Sequence, residues 1–191
     1  MKKIGLIGED PNDTSSISNL LNQEFSDKVN FVHLVRRIRG SQLDTLKFHK
    51  QVEFEFEDNK CDFVIAIRDL DGFESENEKL KKHYLWFDKI NSSVNNNGII
   101  LINIWELEAL IYADIEVFNK LYDTKLTLKG DPSFIKDPKD ELKRKTRKGK
   151  NVFHENHCPE IFKKLRFEEV LKNSKSFKSF IEEFTTKLKV A

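Results

Sequence analysis

Asp69 and Asp71 stand two apart at the end of the apolar run Phe63-Val64-Ile65-Ala66-Ile67-Arg68. β-Branched and aromatic residues in a short run read as a buried strand, and in extended chain residues i and i+2 project to the same side. The pair can therefore share a divalent cation, because Mg²⁺ takes hard oxygen ligands and needs only one or two carboxylates while it keeps much of its water. A second acidic strand end follows Ile4-Gly5-Leu6-Ile7-Gly8, where Glu9 marks the strand tip and Asp13, four residues on, the start of a helix. In an open parallel sheet the strand C-termini line one edge, which is where ligands bind. Glu9, Asp13, Asp69 and Asp71 thus form a candidate site for Mg²⁺ or Mn²⁺. The plainer reading is that Asp13 only caps a helix and Asp71-Gly72 only makes a turn.

Three further groups can carry chemistry. Glu106 and Glu108 follow a fourth apolar run, so one of them can face the same edge as Asp69, and Glu108 is the favoured one. Lys143-Arg144-Lys145-Thr146-Arg147-Lys148-Gly149-Lys150 holds six basic side chains in eight residues with no acid, which suits sequence-independent contact with a phosphate backbone or, more plainly, a solvated loop. Arg36, Arg37 and Arg39 follow the second strand and can extend the same track. His154, His157 and Cys158 have a spacing that could bind zinc, but no second ligand pair accompanies them, and packing near the site explains them better.

The elements that must position these residues follow from hydrophobic period and turn residues. Strands are expected over 3–8, 29–35, 63–68 and 99–104. Between them come helices over 14–25, 41–56 and 74–90, the second facing inward through Leu43, Leu46, Val52 and Phe54, the third through Leu80, Tyr84 and Phe87. Asn95-Asn96-Asn97-Gly98 is the strongest turn signal. Short helices over 105–113 and 115–122 break near Asp114, residues 125–151 read as a long irregular insertion, and two helices over 159–171 and 176–188 close the chain. The second carries Phe177, Phe180, Ile181 and Phe184 on one face. Strands alternating with helices argue for an α/β layer with a mostly parallel, four-stranded, Rossmann-like sheet flanked by helices and extended by C-terminal helices. The expected organisation is a core over 1–124 with 125–191 packed on it as one domain.

Composition narrows the rest. A chain of 191 residues with 38% hydrophobic content can bury a core, and sixteen Phe against one Met suggest an aromatic one. The charged fraction is 34% but the formal net charge is only +1, so any nucleic-acid footprint must be local. No apolar run is long enough to span a bilayer, and Met1-Lys2-Lys3-Ile4 leads into a strand that meets Asp10 too soon for a secretory signal. Two distant cysteines, Cys61 and Cys158, read as free buried thiols. These features suggest a cytoplasmic protein.

A glutamate after the first strand and a DxD after a later one resemble the TOPRIM domain of topoisomerases, DnaG-type primases and overcoming-lysogenization-defect nucleases. The segments Trp105-Glu106-Leu107-Glu108-Ala109-Leu110-Ile111-Tyr112-Ala113-Asp114, Asp137-Pro138-Lys139 and Phe153-His154-Glu155-Asn156-His157 are similar to a bacterial TOPRIM-like family catalogued as a domain of unknown function. The similarity covers nearly the whole chain and departs from the family's pattern at Leu110, where tryptophan is common, and at Glu155, where lysine is expected. It implies a TOPRIM-like fold, an acidic set of Glu9, Asp13, Asp69, Asp71 and Glu108, and a functional lysine at Lys139. It further implies Mg²⁺-dependent cleavage of nucleic acid, by an anti-phage effector working with an ATPase of the ABC or SMC type. Two other readings compete. One is a non-catalytic interaction module. The other is a receiver-like phosphoacceptor built on Glu9, Asp10 and Asp69, which lacks the hydroxyl at the fourth strand end and the lysine at a fifth that such domains need.

Overall fold

The computed structural model describes residues 1–36 and 42–190. Four strands, β1 (Lys2–Ile7), β2 (Val29–His33), β3 (Phe63–Asp69) and β4 (Gly98–Asn103), form one parallel sheet in the order β2-β1-β3-β4. The chain runs outward from β1 to β2 and then returns past β1 to lay down β3, so the strand order reverses between β1 and β3. That reversal opens a crevice beyond their carboxyl ends. Phe63 to Ile67 are all at most 1% exposed, as expected of a central strand covered on both faces. This is the Rossmann-like α/β layer expected from the sequence.

One face of the sheet is covered by α1 (Pro11–Phe25) and by the helices of the second half. These are α4 (Ala109–Ala113), α5 (Ile115–Tyr122), α6 (Pro138–Thr146), α7 (Cys158–Phe162), α8 (Phe167–Asn173) and α9 (Lys175–Val190). The other face carries α2 (Leu46–Asp58) and α3 (Asn77–Ser93) over a smaller core. The aromatic core is real: Phe184 of α9 meets Phe25 at 5.0 Å and Phe63 at 5.9 Å between ring centroids. No helix among the described residues is long and apolar enough to cross a membrane.

Several boundaries differ from expectation for identifiable reasons. β2 stops at His33 because Val35 takes a positive φ of 52° and gives its N–H to Glu55 Oε2 at 2.7 Å. α2 begins at Leu46, since Thr45 caps it by accepting from the Phe48 N–H. Its inward face is Phe48, Val52 and Phe56, while Leu46 and Phe54 are 71% and 66% exposed. α3 turns Trp86 and Ile90 inward and leaves Tyr84 48% exposed. The turn before β4 uses positive φ at Asn95 and Asn96, which asparagine tolerates.

Residues 125–151 are not an irregular insertion. They contain a 3-10 turn (Pro132–Phe134) and α6, a helix whose interior face is little more than Leu142 and Thr146. The break at Asp114 is as expected, and its cause is an ion pair: the buried Asp114 carboxylate accepts from the Arg166 main-chain N–H at 2.7 Å and from its Nε at 3.0 Å. The single helix expected over 159–171 is split into α7 and α8 at the same place. There Gln23 Nε2 of α1 donates to the Phe162 and Leu165 carbonyls.

Candidate functional site

Beyond β1 the chain turns sharply at Gly8, where a Cβ would lie 2.8 Å from Thr14 Cγ2. Asp10, rather than Asp13, caps α1 by accepting from the Asn12 N–H at 2.7 Å. Asp13 is therefore released from capping and lies in the first turn of α1, lining the crevice. Glu9 is held by Arg68, whose Nε donates to Oε1 at 2.8 Å. Arg68 also reaches Asp44 at 3.6 Å and stands 4.8 Å over the Trp86 ring.

At the end of β3, Asp69 is paired in register with Asn103 of β4 and accepts from its Nδ2 at 2.9 Å. The Asn103 side chain is 3% exposed and its Oδ1 has no partner among the described residues. Asp71 is exposed at the crevice with φ 52°. Its N–H donates to the Trp105 carbonyl at 2.9 Å, and the Trp105 N–H, from a residue also at positive φ, donates to the Gly72 carbonyl at 3.0 Å. Two non-glycine residues in the left-handed region thus brace each other at the sheet edge, each at a cost of order 1–3 kcal/mol.

A third segment, after β4, completes the crevice. Glu106 turns to Lys139, whose Nζ lies 2.8 Å from its Oε1. Glu108 is 5% exposed, precedes α4 and receives a weak contact from Cys158 Sγ at 3.9 Å. The cleft so formed has a volume of about 290 Å³ and is lined by Glu9, Asp10, Asp13, Asp69, Asp71, Glu108, Glu155, Lys139 and Cys158. It brings together Glu9, Asp13, Asp69, Asp71 and Glu108, the acidic set expected from the sequence, with Lys139 at its rim and Glu106 outside its lining. Asp10 entered the sequence reading only as part of the receiver-like alternative and Cys158 only as packing near the site; Glu155 and Asn103 were not foreseen as site residues. Asn103 had a readable signal, as the one polar residue in the run 99–104.

The electrostatics of the cleft are unfavourable to its own charges. Burial, followed by the charges of Asp10, Glu108 and Glu9, pushes the Asp13 carboxyl up to about 8 against a small opposing pull from Lys139. Asp69 is raised well above the usual carboxylate range by burial and by Asp13, with only the Asn103 hydrogen bond favouring its ionised form. Burial lifts Glu108 to about 7, with Lys139 opposing and Glu106 and Glu155 adding to it. For Lys139 burial works against the charge, but the Glu106 hydrogen bond and the charges of Glu108, Glu106 and Glu155 outweigh it and raise the ammonium.

Among the described residues no three His, Cys, Asp or Glu side chains form a ready-made metal cage. The donor set nonetheless fits a hard divalent ion. Carboxylate oxygens from Asp13, Asp69 and Asp71 share one cleft with no salt bridge to any of them among the described residues, so a cation entering it would relieve their repulsion.

The basic run is partly ordered on α6. Lys143 pairs with Glu155 and Arg144 with Glu141, whereas Lys145, Arg147, Lys148 and Lys150 are exposed and carry no ion pair among the described residues. The loop bearing the last three is stapled at its base, where Thr146 Oγ1 accepts from the Phe153 N–H at 2.9 Å. Arg36 is exposed beside Glu9 and Asp10, while Arg37 and Arg39 lie outside the described residues. His157 Nδ1 shares a 2.8 Å hydrogen bond with the Tyr122 hydroxyl and stacks on its ring, a packing role. Asn103, not a hydroxyl residue, stands at the tip of β4, and Lys139 arrives from a helix and not from a strand. No family model, curated protein or solved structure matches the chain.

Proposed function

We propose that the cleft holds Mg²⁺ or Mn²⁺ and that the protein is a TOPRIM-like nuclease cleaving nucleic-acid phosphodiesters. The observation that carries this reading is the delivery of acids from three separate segments into one crevice at the sheet's switch point, with Asp13, Asp69 and Glu108 given no salt-bridge partner among the described residues. Asp13, Asp69 and Asp71 would hold the ion, with Glu9 and Glu108 flanking it. When bound, the ion neutralises charge on the phosphate and eases ionisation of a coordinated water. Asn103 fixes the orientation of Asp69. Glu108, which titrates near neutrality, is suited to take and return a proton. Lys145, Arg147, Lys148 and Lys150 supply phosphate-backbone contacts, starting about 9 Å along α6 from Lys139. Following the resemblance, the protein acts in the cytoplasm as an anti-phage effector beside an ABC- or SMC-type ATPase.

The test is thermal melting with and without millimolar Mn²⁺, beside nuclease assays on plasmid and tRNA. Mn²⁺ should raise the melting temperature by mass action and support cutting, and Asp69→Asn should remove both. A melting temperature indifferent to Mn²⁺ would leave the acids structural and favour a non-catalytic interaction module. A metal-dependent shift without cutting would keep the ion site and point to an activating partner.

A further inference from the structure

β4 has β3 on one side and, among the described residues, no strand on the other. The Val64 N–H donates to the Asn97 carbonyl and the Leu70 N–H to that of Asn103. By the two-residue period of a strand, residues 97, 99, 101 and 103 therefore face β3, and the N–H and C=O of Ile100 and Ile102 point away from the sheet. At Gly98 the outward N–H is met by Asn91 Oδ1 at 2.8 Å. Ile100 and Ile102 have no such partner among the described residues. Sheet edges are ordinarily defended by a charge, a proline or a bulge, and Gly98-Ile99-Ile100-Leu101-Ile102-Asn103 contains none of these.

The edge opens into a groove of about 500 Å³ between α3 and α9. Leu80, Tyr84 and Phe87 form one wall and Phe180 the other, with Phe134 72% exposed at its mouth. Alternating donors and acceptors in a row are answered by an extended backbone, and flanking apolar walls by its alternate side chains. The rim supplies the remaining selectivity, because Glu74, Asp131 and Glu183 line the groove with one base, Lys175, and only Lys187, held at the Asn96 carbonyl and Asn97 Oδ1, adds a second positive charge near Glu183. A second copy of this chain docked edge to edge would face these acids with its own. We propose that the β4 edge receives an extended segment of another protein, with apolar residues alternating with lysine or arginine, as an added fifth strand.

The probe is a capped, fluorescently labelled nonapeptide of alternating valine and lysine, read by anisotropy against the full chain. Saturable binding is expected. It should fall at least tenfold for the same peptide N-methylated at alternate residues, for a valine–glutamate peptide, and for Ile102→Pro. That variant removes an outward N–H and leaves the ladder to β3 intact. Should Ile102→Pro not fold, Phe134→Ala together with Tyr84→Ala takes its place, and slowed amide exchange at Ile100 and Ile102 on peptide addition is the second readout. The proposal is overturned by absence of binding at millimolar peptide, by equal binding of the N-methylated peptide, or by unprotected Ile100 and Ile102 amides. It is equally overturned by a dimer in light scattering that Ile102→Pro abolishes, since a second copy would then own the edge.

Discussion

The fold treats two groups of acids in and beside the cleft differently. Glu9 and Glu106 each have a base at 2.8 Å, Arg68 and Lys139 respectively. Asp13, Asp69 and Glu108 have none among the described residues, and all three carboxyls are pushed up. Depth alone does not separate the groups, because the Glu106 side chain is only 15% exposed. Bases were within reach and went to the rim. Neutralising a rim acid should therefore cost stability, whereas neutralising a floor acid should relieve repulsion, and that difference in sign separates carboxylates held by a base from those left to meet a cation.

The largest effect expected is on Asp69. Asp69→Asn should abolish cutting and the Mn²⁺ melting shift while leaving the metal-free protein at least as stable, and a metal-free protein that melts earlier would break the contrast. Asn103→Ala, which removes the hydrogen bond orienting Asp69 along with the rest of the buried amide, should cost about 10–100-fold in activity or metal affinity; an unchanged Mn²⁺ titration would show that Asp69 needs no orienting. The same contrast applies to the bases. Replacing the unpaired Lys145, Arg147, Lys148 and Lys150 with Gln should flatten the salt dependence of binding to duplex DNA, by about 0.9 in slope for each phosphate no longer neutralised. Lys143→Gln and Arg144→Gln should change it little, and equal effects in both sets would erase the distinction. At the rim, Arg68→Met should destabilise by about 1–2 kcal/mol, less than for a fully buried pair because Glu9 reaches solvent. A second change, Glu9→Gln, should recover part of that loss in a double-mutant cycle.

The smallest effect is on pH dependence. Asp13 and Glu108 have ordinary values of 3.8 and 4.5 and lie at about 8 and 7 in the fold, so the folded protein binds more protons than the unfolded chain between those limits. Their contribution to stability is complete at low pH and is lost as pH rises through the folded values. Burial lowers His33, His49 and His83 below 6.5, which acts in the opposite direction at lower pH. The informative window therefore runs from pH 6.5 to about 8, where the metal-free melting temperature should fall and Mn²⁺ should flatten the slope. A melting temperature that climbs across that window would contradict the floor assignments.

Much of this arrangement was legible because strands announce themselves locally. Acids at the tips of two apolar runs, read with the rule that parallel strands share an edge, are enough to bring Asp13 and Asp69 to one crevice. Asp114 was legible as a break, though not its cause, because Arg166 lies far along the chain. α6 is hidden in the sequence because a helix with one buried leucine and one buried threonine has almost no hydrophobic period. Glu155 and Cys158 reach the cleft only through the packing of α7 on α1, which no local pattern encodes. Tyr84 and Phe54 were misplaced for a related reason: an apolar residue at helical spacing says that a face exists, and neighbouring elements decide which face is covered.

The joint between the sheet and α9 has a consequence for the protein's birth. All four strands have been synthesised once Asn103 is added, but the ring of Phe25 must wait for Phe167 and Phe184, and that of Phe63 for Phe184. At about 5–20 residues per second, the growing chain carries a sheet with one face covered by α1 alone, and then by each later helix in turn, for roughly ten seconds. Over the same interval Glu108, Lys139 and Cys158 arrive one after another, so the cleft is assembled last. On the proposed function, the cutting site is still unfinished beside ribosomal RNA after all four strands have been made.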